Sequence, residues 1–151
     1  MHFVPHAAGG NGPARQPMGE RHDMTAQSGN GAIETLDVAE VAALFAADRI
    51  VLIDVRTPVE FAFEHIRGAL LSPLATFDTR HLPSQESKPI VFHCGSGMRS
   101  KMVAEKCLAA GFAKVMHMGG GFMAWKKAGQ PYISTNPATG APVDRRDPVQ
   151  A

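Results

Sequence analysis

Cysteine, tryptophan and tyrosine are scarce in this sequence: 151 residues hold two Cys, one Trp and one Tyr. Two cysteines cannot form the disulfide framework of a small secreted domain, so Cys94 and Cys107 are expected as free thiols in a reducing compartment, which predicts a cytoplasmic protein. No Cys-x-x-Cys occurs and the seven histidines are scattered, so no metal-ligand spacing is present and no metal is expected. Long apolar runs are missing too; none approaches the ~18 residues of a spanning helix. The opening stretch MHFVPHAAGGNGPARQPMGERHD lacks a basic start followed by an apolar segment and does not read as a secretory signal. Charge of one sign is absent as well. Fifteen Lys and Arg face fourteen Asp and Glu, with no basic block, so neither nucleic acid nor a membrane surface is expected as a partner.

What is present is an ordinary soluble composition, 44% hydrophobic and 19% charged, in a length that suits one core. Residues 1–30 are rich in Gly, Pro and polar residues without periodicity and read as a flexible N-terminal extension. Residues 133–151 are again Pro-rich and polar and read as a surface tail. Between them, residues 31–132 alternate between two patterns. RIVLIDV, KPIVFHC and AKVMHM are short continuous apolar runs, the mark of strands buried on both faces. LDVAEVAALFAAD has helical spacing behind an N-cap at Asp37, and TPVEFAFEHI starts with Thr57 as N-cap, Pro58 at the first position and Glu60 at the third. GMRSKMVAEKCLAAGF reads as a helix stopped at Gly111, GGFMAWKKAG as a last short helix, and GALLSPL as a short extended piece. Alternating strands and helices predict an α/β domain with a mostly parallel central sheet and helices on both faces.

Parallel strands finish at one edge, where ligands bind in such sheets. Cys94 ends one strand, Asp54 and Arg56 end another, and Gly119–Gly121 follow a third. A thiol attacks as thiolate, and a free Cys ionises only near pH ~8.5. A loop turning into a helix N-terminus aims its backbone N–H groups at one point, and the helix dipole adds roughly half a positive charge there. Gly95 and Gly97 allow that curvature. The segment Gly95, Ser96, Gly97, Met98, Arg99 and Ser100 therefore predicts an anion cradle around a nucleophilic Cys94, with Arg99 as an added cation.

The pieces LIDVRTPVEF, HIRGAL, VFHCGSGMRS, LAAGFAKV and GGFMAW, in this order, resemble the rhodanese family of sulfurtransferases, specifically its short single-domain members. The resemblance runs from about Thr35 to Pro131. It implies a single rhodanese-like domain in which Cys94 takes the outer sulfur of a small anionic donor as a persulfide. The sulfur then passes to cyanide, a small thiol or a protein acceptor, without a cofactor. Gly95 and Ser96 stand where thiosulfate-using members often carry cations, and CGSG resembles the loop of mercaptopyruvate-using members, so both donors stay open. Two alternatives stand beside this reading: a persulfide-carrying or redox-sensing module serving a protein partner, and a phosphatase or arsenate reductase of the same architecture. Related phosphatases place five residues between Cys and Arg; here four separate Cys94 from Arg99.

The remaining residues are read structurally. Asp54 and Arg56 share a strand face and are expected as a charge-pair scaffold for the loop. Cys107 belongs to the core, thirteen residues along the helix. His93 points to the face opposite its neighbour Cys94, and His65 and His117 are expected as packed, hydrogen-bonded residues. Met98 is expected to line the pocket.

Overall fold

A computed structural model describes residues 33–146. In chain order the elements are β1 (Ile33–Leu36), α1 (Val38–Ala46), β2 (Val51–Asp54), α2 (Pro58–Phe63), β3 (Glu64–His65), β4 (Leu70–Leu71), β5 (Ile90–His93), α3 (Met98–Ala109), β6 (Val115–Met118), α4 (Gly121–Lys127), β7 (Tyr132–Thr135) and β8 (Pro142–Arg145), with 3₁₀ turns at Leu74–Thr76 and Thr79–His81. Five strands form one sheet in the order β1-β6-β5-β2-β4, and every pairing in it is parallel.

The apolar runs occupy the centre of this sheet because each has neighbours on both sides and cover on both faces. Alternation sends Leu52, Val91 and Met118 to one face, where Val41 of α1 and Phe122 and Trp125 of α4 complete a core. It sends Ile53, Phe92 and Val115 to the other, under Val103, Ala104 and Cys107 of α3. Two helices start on reciprocal side-chain caps, Asp37 with Glu40 on α1 and Thr57 with Glu60 on α2, each satisfying two amides that a helix start leaves unpaired.

Helix α2 is shorter than its pattern predicts. Glu64 and His65 leave it to pair with Ser134 and Ile133, and the Glu64 carbonyl accepts from Arg56 Nη2 at 2.7 Å. The partner strand corrects the reading of 133–151 as a polar surface tail over residues 133–146; residues 147–151 lie outside the described residues. Residues 132–145 form a hairpin, and with β3 they make a second, antiparallel sheet. Ile133 and Ser134 are buried there. Short strands with Pro142 at a strand start look like loop, because long-range pairing leaves little local signal. The hairpin turn closes through Asn136 N–H to Ala141 O at 2.8 Å. The extension over 1–30 lies outside the described residues. Among those described, no helix is long and apolar enough to cross a membrane.

Candidate active site

Strand β5 delivers Cys94 to the carboxyl edge of the sheet, and the chain turns at once into α3. Gly97 makes the turn with φ +108°, the left-handed region that a side chain disfavours, and α3 begins at Met98. Cys94 is wholly buried, and its Sγ accepts the Gly97 N–H at 3.1 Å and lies 3.6 Å from Ser100 Oγ. Burial opposes the thiolate, but donors from Ser100, through backbone and hydroxyl, and from the Gly97 and Ser96 amides outweigh it and bring the thiol below its ordinary value. Cys107, also on α3, has only burial acting on it, which pushes its thiol up to about 11. Its inert place in the core is that expected from the sequence.

A second helix start holds the loop from behind. Phe122 N–H donates to Cys94 O at 2.7 Å and Met123 N–H to Gly95 O at 3.0 Å. This approach demands glycine at Gly121: a Cβ there would stand 2.5 Å from Cys94 O, and its φ is +60°. Asp54 and Arg56 support the same region and do not reach the sulfur through any hydrogen bond. Arg56 pairs with Asp54 through Nη2 at 2.7 Å and Nε at 3.0 Å, both side chains buried, and its guanidinium lies 4.5 Å from the Phe122 ring centre. His93 is buried; its Nδ1 lies 3.3 Å from Cys94 O, and desolvation outweighs the nearby Asp54 carboxylate and keeps the ring neutral.

Arg99 lies over the loop, with Nη2 3.1 Å from where a Cβ on Gly95 would sit. Both its Nη atoms are taken by Glu60 of α2, at 2.7 and 3.0 Å. The guanidinium holds the Glu60 carboxyl down at about 2, against burial. The charge assigned to Arg99 from sequence is therefore already compensated by a carboxylate. Met98, expected to line the pocket, stands 76% exposed on the first turn of α3.

Sequence reasoning missed three residues here. The sequence pattern of Glu60 marks only a helix cap, although two of its contacts are to a residue 39 positions away. The pattern around His117 marks packing and hydrogen bonding without naming a partner; its Nδ1 lies 2.9 Å from Ser100 Oγ. Thr35, whose hydroxyl lies 3.0 Å from His117 Nε2, belongs to a strand, IETL, with two polar residues and no continuous apolar run. Strand alternation would have put His117 on the face that α3 covers, since it pairs in register with Phe92.

The sequence profile of the family described as Rhodanese-like domain matches residues 37–128. An uncharacterized protein of Synechocystis is 40% identical over 91 residues, 60% of this chain and 51% of its own, so the chain spans about half of that relative. A protein named sulfurtransferase from Allochromatium vinosum is 31% identical over 85 residues, 56% of this chain and 79% of its own. A solved structure from Rhodopseudomonas palustris, described as a protein of unknown function and possible tyrosine phosphatase, superposes with a TM-score of 0.57 at 32% identity, over 73% of this chain and 91% of its own.

Proposed function

The chain belongs to the rhodanese-like domain family, and from that premise we propose that it is a sulfurtransferase moving sulfane sulfur from a small anionic donor to a thiol or cyanide through a persulfide on Cys94. The Cys94 thiolate attacks the outer sulfur of a thiosulfate-like donor. A new S–S bond forms to Cys94, the donor's own bond to that sulfur breaks, and the remainder departs as an anion. The acceptor then attacks the outer sulfur, and Cys94 leaves as thiolate with the electron pair of the broken S–S bond. No oxidant or reductant is consumed. The loop amides and the start of α3 stabilise anionic sulfur in every state, which is where such catalysis gains most. Arg99 borders this cradle while Glu60 offsets its charge, so the amides carry more of the anion binding than the guanidinium does.

The observation that supports the reading best is the buried Cys94 Sγ, 3.1 Å from the Gly97 N–H, at the turn from β5 into α3. The phosphatase alternative, which the Rhodopseudomonas description brings to mind, fits less well. Four residues separate Cys94 from Arg99, and Arg99 has both Nη atoms on a carboxylate rather than free for a phosphate ester. A protein acceptor, the role of a persulfide carrier, has one observation in its favour. Val59 and Phe63 on α2 and Met98 and Met102 on α3 are exposed apolar side chains on the two helices that Glu60 and Arg99 join.

Intact mass tests the proposal. After incubation of the full chain with thiosulfate, the protein gains one sulfur atom, cyanide removes it as thiocyanate, and Cys94→Ser shows neither step while melting as the parent does. No gain from thiosulfate or mercaptopyruvate, or phosphate-ester hydrolysis dependent on Cys94, would overturn it.

A further inference from the structure

Beneath the Cys94 loop runs a line of polar side chains that the proposed chemistry does not by itself require. Cys94 Sγ lies 3.6 Å from Ser100 Oγ, Ser100 Oγ 2.9 Å from His117 Nδ1, and His117 Nε2 3.0 Å from Thr35 Oγ1. Three elements contribute: Ser100 from α3, His117 from β6 and Thr35 from β1. Thr35 and His117 are partners in the β1–β6 register, so they share the sheet face under α3. Ser100 is wholly buried and His117 nearly so. The register neighbour of His117 on β5 is Phe92, so an apolar side chain would suit this face on packing grounds alone.

We propose that His117, held in place by Thr35, is a positioning residue for Cys94 that acts through the Ser100 hydroxyl. The inference rests on Cys94 being the nucleophile of the proposed transfer. A hydroxyl has one hydrogen to donate, and a neutral imidazole has one N–H. The Ser100 hydrogen has three acceptors within reach: the Gly97 carbonyl at 3.1 Å, His117 Nδ1, and the sulfur. With the ring proton on Nδ1, His117 donates to Ser100 Oγ and the Thr35 hydroxyl donates to Nε2. The Ser100 hydrogen then has no acceptor on the ring and is free for an anionic sulfur. With the proton on Nε2, it donates to Thr35 Oγ1, Ser100 donates to Nδ1, and Ser100 Oγ can accept from the thiol. The ring thus presents Ser100 as a donor to thiolate and as an acceptor to thiol. An apolar side chain would neither orient the Ser100 oxygen nor strengthen its O–H as a donor, and would leave the hydrogen divided between the Gly97 carbonyl and the sulfur.

The ring must be neutral for this, and its surroundings favour that. Burial first, and then the Lys101 ammonium from α3, hold His117 below its ordinary value. The other titratable groups on this side are the thiols of Cys94, at the end of β5, and Cys107, on α3. From β1 the ring meets the Thr35 hydroxyl, and from β5 its register neighbour is apolar.

The test is the pH dependence of Cys94 alkylation by iodoacetamide in the full chain carrying Cys107→Ser. His117→Leu raises the midpoint and slows alkylation near pH ~7 by roughly tenfold, the size of one lost hydrogen bond. His117→Asn, whose amide can still donate from about the place of Nδ1, recovers most of the rate. Ser100→Ala shifts the midpoint in the same direction, and adding His117→Leu to it changes the midpoint little further. An unchanged midpoint in folded His117→Leu, or an equal shift with and without Ser100, would overturn the proposal. If His117→Leu does not fold, Thr35→Val decides in its place: a smaller upward shift supports the relay and an unchanged midpoint overturns it. Alkylation needs no sulfur donor. A protein that shows these shifts but never gains sulfur refutes the transferase reading alone, and one that transfers sulfur without the shifts refutes the relay alone.

Discussion

Glu60 and Arg99 sit 39 positions apart, each on the first turn of its helix, and their pair joins α2 to the Cys94 loop. A bidentate guanidinium–carboxylate pair fixes geometry as well as charge. Its contribution to folding has a defined pH dependence. The carboxyl of Glu60 is lowered from an ordinary value of 4.5 to about 2 in the folded chain. The stabilisation is therefore present above pH 4.5 and is lost as pH falls through about 2. The expected outcome is a wild type more stable to urea than Glu60→Gln near neutrality, with the gap closing as pH is lowered across that interval. A gap that stays constant would mean that the difference does not come from the charge of the Glu60 carboxylate. Arg99→Ala removes the same tie. Its effect on sulfur transfer should be similar for anionic and uncharged donors, since the charge is already matched by Glu60. A KM rise of tenfold or more confined to the anionic donor would show that Arg99 meets the donor directly.

At the scale of elements, two helix starts meet at one turn of chain, α3 facing the sulfur and α4 facing the carbonyls behind it. The second contact tolerates no side chain at Gly121, where a Cβ would lie 2.5 to 2.6 Å from backbone atoms of Cys94 and Gly95. Gly121→Ala should force the two elements apart and impose a left-handed alanine, costing about 2 kcal/mol or more. That corresponds to a melting point lower by roughly 5 °C or more. Alkylation of Cys94 should also slow, because the displaced loop loses its alignment on the sulfur. Unchanged melting and unchanged alkylation would show that the loop adapts without cost. Much of this level was legible in the sequence. Continuous apolar runs marked β2, β5 and β6, Asp37 and Thr57 marked two helix starts, and Cys94 with its glycines marked the loop. What escaped were features made by distant residues: β1, β3, β7 and β8, which carry polar residues and lack a continuous apolar run, and the partners that Glu60 and His117 find across the fold. A side chain's local pattern does not say which remote atom it will meet.

For the whole molecule, the second sheet extends the domain past the limit drawn from composition. Tyr132 packs edge-on against Phe122, with ring centres 5.6 Å apart, Trp125 Nε1 donates to Pro131 O at 2.9 Å, and Ile133 is buried. Phe122 is the residue whose amide holds Cys94 O, so the hairpin buttresses the site from the far side of α4. Deleting residues 132–151 should lower the melting point by roughly 5 °C or more and reduce the urea m value, as less surface is buried on folding. An unaltered melt would make the hairpin dispensable.

The grip of α4 on the two carbonyls behind the cysteine has a kinetic consequence. In a trans peptide the C=O and N–H point in opposite directions across one rigid plane. Once the oxygens of Cys94 and Gly95 are tied to Phe122 and Met123, the planes that carry the Gly95 and Ser96 amides are fixed, and the Ser96 N–H is among the donors that act on the sulfur. No peptide plane has to rotate as negative charge arrives on sulfur or departs from it. The dipoles are oriented when the chain folds, so in the transfer proposed for Cys94 this loop adds little reorganisation energy to the barrier.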